Sequence, residues 1–151
     1  MAIDYGERNV GVAISDELQL TVRPLATIKR DKRKHAQVID RIRGLAEENE
    51  IATLIVGLPL NMDGTHGPAV ERVERFISEL RQRVSIPIVT VDERLTSLEA
   101  DQILREMGVG SRERRARSDE YAAIVILQDY IDGLRRQPLA ENPLTIIPNE
   151  Q

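Results

Sequence analysis

Cysteine is absent from this chain of 151 residues. Disulfides, iron–sulfur clusters and cysteine–zinc sites are therefore excluded. Histidine is scarce: His35 and His66 are the only two, and they lie too far apart in sequence to suggest a histidine metal site. Any metal would have to be held by carboxylates, which favours a hard ion such as Mg²⁺ or Mn²⁺. No apolar run approaches the ~18 residues of a membrane span, so no membrane partner is expected. The N-terminus lacks the basic-then-apolar pattern of a signal peptide, and a cytoplasmic location is expected by default. Aromatic residues make up only 3% of the chain, too few for ring stacking to dominate any binding mode. The net charge of −4 argues against a general basic coat, although two local basic runs are present.

What is there is ordinary for a globular protein: 41% hydrophobic and 30% charged residues. The length suits one domain. That domain is expected over residues 1–137, and 138–151, with three prolines, reads as a tail. Ile3–Gly6, Val10–Ser15 and Leu20–Ile28 read as three strands with short connections, hence an antiparallel meander with Pro24 at an edge. The first strand begins so early that a few further N-terminal residues are expected ahead of it in the natural chain. KRDKRKH (29–35) is a charged link. The period then changes. Val38, Ile39, Ile42, Leu45 and Ala46 have helical spacing, so Lys34–Asn49 is a predicted helix. Ala52–Gly57 is apolar throughout, as in a strand covered on both faces. LPLNMDGTHGP (58–68) is a loop. Val70, Val73, Phe76, Ile77 and Leu80 form a second helical stripe. Pro87–Val91 reads as another buried strand, Ser97–Met107 as a third helix, and VGSRERRARS (109–118) as a mobile basic loop. Glu120–Leu134 is a last helix, apolar all round its centre and so largely buried. The order predicts an α/β fold: a five-stranded mixed sheet, three strands antiparallel and two parallel, flanked by helices.

Ligand sites in such sheets lie beyond the carboxyl ends of the parallel strands. Asp4, the Asp92–Glu93 pair and Asp119 could all reach that edge. Carboxylates gathered there would repel one another, and a divalent cation relieves the repulsion. Two such ions can support phosphodiester hydrolysis. Strand alternation prevents Asp92 and Glu93 from facing the same side, and the longer Glu93, at the strand end, is the expected ligand. Asp92 would instead orient Arg94 or cap backbone amides. Gly6, just after Asp4, is expected to leave room for a substrate backbone.

DYGERNVGVAISD, VGLPLNMDGT, VDERLTS and SDEYAAIVILQDYI together resemble the YqgF family of Holliday-junction-resolvase-like proteins, also called pre-ribosomal-RNA nucleases. The resemblance covers about residues 2–134. It implies a ribonuclease H-like fold and cleavage of nucleic acid dependent on Mg²⁺ or Mn²⁺, with two ions in the presence of substrate. The substrate it implies is structured RNA, such as the small-subunit ribosomal RNA precursor at its 5′ end, or branched DNA such as a Holliday junction. Asp4, Glu93 and Asp119 fall on the family's acidic triad, as metal ligands and catalytic groups. Two departures stand out. Glu7 and Arg8 follow the DYG where the family usually has Thr or Ser and then Lys, and the segment before the last helix is rich in arginine rather than lysine.

Other readings of the same residues are open. Asp4 could be a turn former beside Gly6. Asp119 could simply complement its helix dipole, worth ~0.3–1 kcal/mol. His66 reads as exposed, and the glycines of the 57–67 region as turn residues. The basic runs could be solvated surface. The second abuts Asp119, so Arg112, Arg114, Arg115 and Arg117, with Arg8 and Arg94, are the expected nucleic-acid contacts. The whole chain could be a non-catalytic nucleic-acid-binding module of the same fold. A sugar kinase or actin-like ATPase would need a second lobe that this length does not supply. Monomer and homodimer both remain open.

Overall fold

The computed structural model describes residues 1–93 and 97–137. Arg94 and the tail expected over 138–151 lie outside the described residues. The elements run β1 (Ala2–Tyr5), β2 (Asn9–Ser15), β3 (Val22–Lys29), a 3₁₀ turn (Lys32–Lys34), α1 (His35–Glu48), β4 (Leu54–Leu58), α2 (Pro68–Arg81), β5 (Ile88–Asp92), α3 (Ser97–Glu106), α4 (Ser111–Ala116) and α5 (Ser118–Arg136). The five strands form one sheet in the order β3-β2-β1-β4-β5. β2 pairs antiparallel with β1 and β3, and β4 pairs parallel with β1 and β5. The meander followed by crossovers is the expected topology. Among the described residues, no helix is long and apolar enough to cross a membrane.

Strand alternation sorts the core into two layers. Ile3, Tyr5, Val10, Val12, Leu54 and Val56 pack against the apolar stripes of α1 and α2. On the opposite face, Ala2, Ala13 and Ile55 meet Ala123, Ile124 and Leu127 of α5. The α5 side of β1 and β2 carries small residues, so a helix that is apolar around its centre can lie close against the sheet.

Three expectations need correction. Pro87–Val91 is not a fully buried strand: β5 is the outer strand beyond β4, and its residues are only partly covered. Its Val89 and Val91 nevertheless pack beside the α5 cluster. β3 begins at Val22 rather than Leu20. The Asp16 carboxylate accepts the backbone N–H groups of Leu20 and Thr21 at 2.7 and 2.8 Å, which turns the chain there and leaves Leu20 exposed. The basic stretch 109–118 is not an open loop, because Ser111–Ala116 forms the short helix α4. Arginine and glutamate are good helix formers. Arg114 also ties α4 to α3 through Asp101, at 2.6 Å.

Candidate active site

The same alternation that builds the core sets the site. On the α5 face, Ala2 is followed two residues later by Asp4, Ile55 by Gly57, and Val91 by Glu93. These three positions lie where β1, β4 and β5 end, at the carboxyl edge of the parallel strands. Glu93 continues the sheet, its N–H donating to the Leu58 carbonyl at 2.9 Å. Asp92 points to the other side and is exposed. Asp119 arrives from the first turn of α5.

Two glycines give the carboxylates their places. Gly11 pairs with Asp4 across β1 and β2. A Cβ there would lie 1.9 Å from the Asp119 carbonyl oxygen, so only glycine lets the start of α5 come this close. A Cβ on Gly57 would lie 2.7 Å from Glu93 Oε2 and from Ile126 Cδ1, so this glycine leaves the space that the Glu93 carboxylate fills. The clearance expected at Gly6 has a different use. A Cβ there would meet the Asn9 carbonyl oxygen at 2.7 Å, and the Gly6 N–H donates to that oxygen at 3.1 Å. Gly6 serves the tight β1–β2 turn, and it also lines the cleft beside Asp4 and Glu93.

Electrostatics couples the acids. Burial, with the charge of Asp119 as the second cause, pushes Asp4 up to about 6. Burial pushes Glu93 up to about 7, with the Asp4 charge as the second cause. Among the described residues, no three acidic or histidine side chains surround one point closely enough for a single ion. The arrangement is two pairs that share Asp4. Asn9 Nδ2 donates to Asp119 Oδ2 at 2.9 Å, which fixes the direction of that carboxylate.

Sequence reasoning missed Asn9, although it stands inside the DYGERNVGVAISD stretch. It also missed what holds the turn beside Asp4. Arg30 donates to the carbonyls of Gly6 and Glu7 at 2.6 and 3.2 Å and lies 4.1 Å from the centroid of the Tyr5 ring. The other face of that ring stacks on Phe76 at 4.0 Å. The charged link thus supplies a clamp. The 58–68 loop braces itself: Asn61 Nδ2 and the Asp63 carboxylate both engage Thr65 Oγ1, at 2.9 and 2.6 Å, while Gly64 takes a positive φ of 83°. His66 is exposed, 3.6 Å from Glu74.

The arginines divide. Arg112 and Arg115 are exposed, and Arg8 is exposed beside a basic hollow that Lys29, Arg30 and Lys32 also line. Arg114 is largely covered and paired with Asp101. Arg117 is held by Glu113 and Glu120. Arg114 spends its charge inside the α3–α4 corner, whereas Arg117 stays exposed beside its two glutamates.

Residues 1–133 match the family described as RuvX, Holliday junction resolvase. A protein of Roseiflexus sp. (strain RS-1) named "Putative pre-16S rRNA nuclease" is 44% identical over 89% of this chain and 94% of its own length. One of the same name from Geobacillus kaustophilus (strain HTA426) is 42% identical over 89% of this chain and 98% of its own. Among solved structures, T. thermophilus RuvC in complex with a Holliday junction substrate superposes with a TM-score of 0.62, covering 89% of this chain and 93% of that one at 14% identity. That likeness carries the fold alone, and the fold is ribonuclease H-like, as the resemblance to the YqgF family implied. The motifs that hold Asp4, Glu93 and Asp119 all lie within the matched span, and the chain belongs to the RuvX Holliday junction resolvase family.

Proposed function

We propose that this chain is a metal-dependent nuclease that hydrolyses phosphodiester bonds at the carboxylate-lined edge of its sheet. The observation that carries this reading is Asp4, half-buried at the sheet edge within reach of the charges of Asp119 and Glu93. Buried acids that raise one another's pKa oppose folding, and such groups gather where chemistry uses them. The donors are all oxygen, which suits Mg²⁺ or Mn²⁺. Asp4 would be the shared ligand, with Glu93 on one side and Asp119 on the other, so the two pairs suit two ions. The chemistry such ions supply is Lewis-acid activation of water and stabilisation of the departing oxygen.

The chain's own groups do the rest. Asn9 orients Asp119, Gly57 leaves the Glu93 carboxylate free to reach the edge, and Gly11 seats the start of α5. Arg8, Arg112 and Arg115, exposed around this edge, are the proposed contacts to flanking phosphates, and with aromatics so few, recognition rests on phosphates and shape. The relatives' shared name makes the 16S ribosomal RNA precursor the first substrate to try. A ribosomal RNA substrate would put the enzyme in the cytoplasm. The family description favours a second, the four-way DNA junction. A cleavage panel of both, with single-stranded DNA as a third substrate and with or without Mg²⁺ or Mn²⁺, tests the reading. Metal-dependent cleavage that Asp4→Asn abolishes is the expected result. No cleavage of any substrate by folded wild type would return the chain to a binding module.

A further inference from the structure

Arg72 stands in the Asp4–Glu93 cleft with no structural task that accounts for it. It comes from α2, yet it lines the same cleft of about 310 Å³ as Asp4, Glu7, Gly57 and Glu93. Its Nε is buried and makes no hydrogen bond. Its ion pair is with Glu7 at 3.7 Å, too long for a hydrogen bond, and the Glu7 side chain is 80% exposed. Such a contact adds little to stability. Nor is Arg72 needed to hold the turn that carries Glu7, since Arg30 already grips the Gly6 and Glu7 carbonyls. A dry, unbonded guanidinium nitrogen is costly to keep, which points to a ligand that completes its shell.

The charge balance of the cleft says what that ligand is. Among the described residues that line it, Asp4, Glu7 and Glu93 are acidic and Arg72 alone is basic. Ions held by Asp4 and Glu93 would answer those two carboxylates at the scissile phosphate, but a neighbouring phosphate entering past the acidic Glu7 still needs a fixed cation on the opposite wall. The planar guanidinium fork matches phosphate oxygens and keeps its charge at any working pH. We propose that Arg72 is a phosphate-binding residue of the cleft, and that Glu7 is its resident counter-ion, displaced when nucleic acid enters. This rests on the nuclease reading above. Glu7 is exposed and can swing away at small cost, so it acts as a competitor that weakens binding without blocking it.

The test is binding of a labelled single-stranded RNA and of a four-way DNA junction to the full chain across a salt series, with Ca²⁺ in place of Mg²⁺ so that binding is read without turnover. Arg72→Gln should weaken binding about tenfold, as expected for one lost charge-assisted hydrogen-bonded contact. It should also make the slope of log K against log salt shallower by about 0.7–0.9, one phosphate contact fewer. Arg72→Lys should restore most of that slope. Glu7→Gln should tighten binding several-fold, and that gain should vanish in the double variant with Arg72→Gln. Wild-type affinity and slope in Arg72→Gln would overturn the proposal and leave the nuclease reading standing. If Arg72→Gln fails to fold, an absence of any gain in Glu7→Gln overturns it instead. Wild type that binds neither nucleic acid would sink both.

Discussion

Asp4 is where a single side chain feels the whole site. Its folded pKa of about 6 lies above the ordinary 3.8, because burial and Asp119 both disfavour its charge. The sign of the linkage follows. Below about pH 3 the carboxyl is mostly neutral in folded and unfolded chains alike and costs little. As pH rises through the folded value, the stability of the metal-free protein is lost, and the loss is complete above about pH 7. Asp4→Asn removes it. In urea unfolding with a chelator present, wild type and variant should therefore agree near pH 3, and the variant should be more stable by on the order of 3 kcal/mol at pH 8. A gap that shrinks as pH rises would refute the burial of a charged Asp4. Gly57 makes a second residue-scale test. Its missing Cβ is the space in which Glu93 Oε2 sits, and that oxygen ends a side chain that can rotate away. Gly57→Ala should cost ~1–3 kcal/mol in stability, because the buried Ile126 Cδ1 must also give way, while cutting metal-dependent cleavage at least tenfold, because Glu93 leaves its place. Equal activity would mean that Glu93 reaches the edge by another rotamer.

At the scale of elements, the strands and long helices were legible because their periods are clean. The alternation in Val10–Ser15 and the stripe Val70–Leu80 each admit one period. α4 was not legible, because six residues with no buried member carry no stripe to read. What folds it is the Arg114–Asp101 bridge, a contact between positions that no local pattern links. The residue types of the proposed acidic triad were visible in the sequence, and the choice of Glu93 over Asp92 rested on alternation together with the greater length and strand-end position of Glu93. Asn9 and Gly57 were not legible, since their meaning depends on the hairpin register and on which strand borders which. The basic segment now yields a split prediction. Arg114→Gln removes the ion pair that ties the covered Arg114 to the half-exposed Asp101 and should lower stability by ~1 kcal/mol. Arg112→Gln with Arg115→Gln should leave unfolding within ~0.5 kcal/mol of wild type and make nucleic-acid binding less salt-dependent. If all three behave alike in urea titrations, α4 is not held by its bridge.

For the whole molecule, the carboxylate edge is a conflict that the fold sustains. The two core layers hold β1, β4 and α5 in fixed relation, and the close seat of α5 over Gly11 brings the Asp119 charge toward Asp4. Nothing in the packing relaxes that approach, because the clashing atoms at Gly11 are backbone and cannot rotate aside. A divalent cation that binds the folded chain and not the unfolded one must stabilise it by linkage. At a concentration tenfold above its Kd the gain is about 1.4 kcal/mol, or roughly 3–8 °C in Tm for a domain of this size. Mn²⁺ should therefore raise the Tm of wild type at pH 7.5 by that order, and Asp4→Asn, which strips the shared ligand from both pairs, should lose most of the shift while starting from a higher metal-free Tm. Gly11→Ala should also lose part of the Mn²⁺ shift, because Asp119 moves, but should differ in starting from a lower metal-free Tm, because α5 is pushed off the sheet. Scanning calorimetry on the three proteins with and without Mn²⁺ decides the matter. An equal shift in wild type and Asp4→Asn would place the ion elsewhere on the protein, and Asp4 would then be a buried acid with no metal to justify its cost.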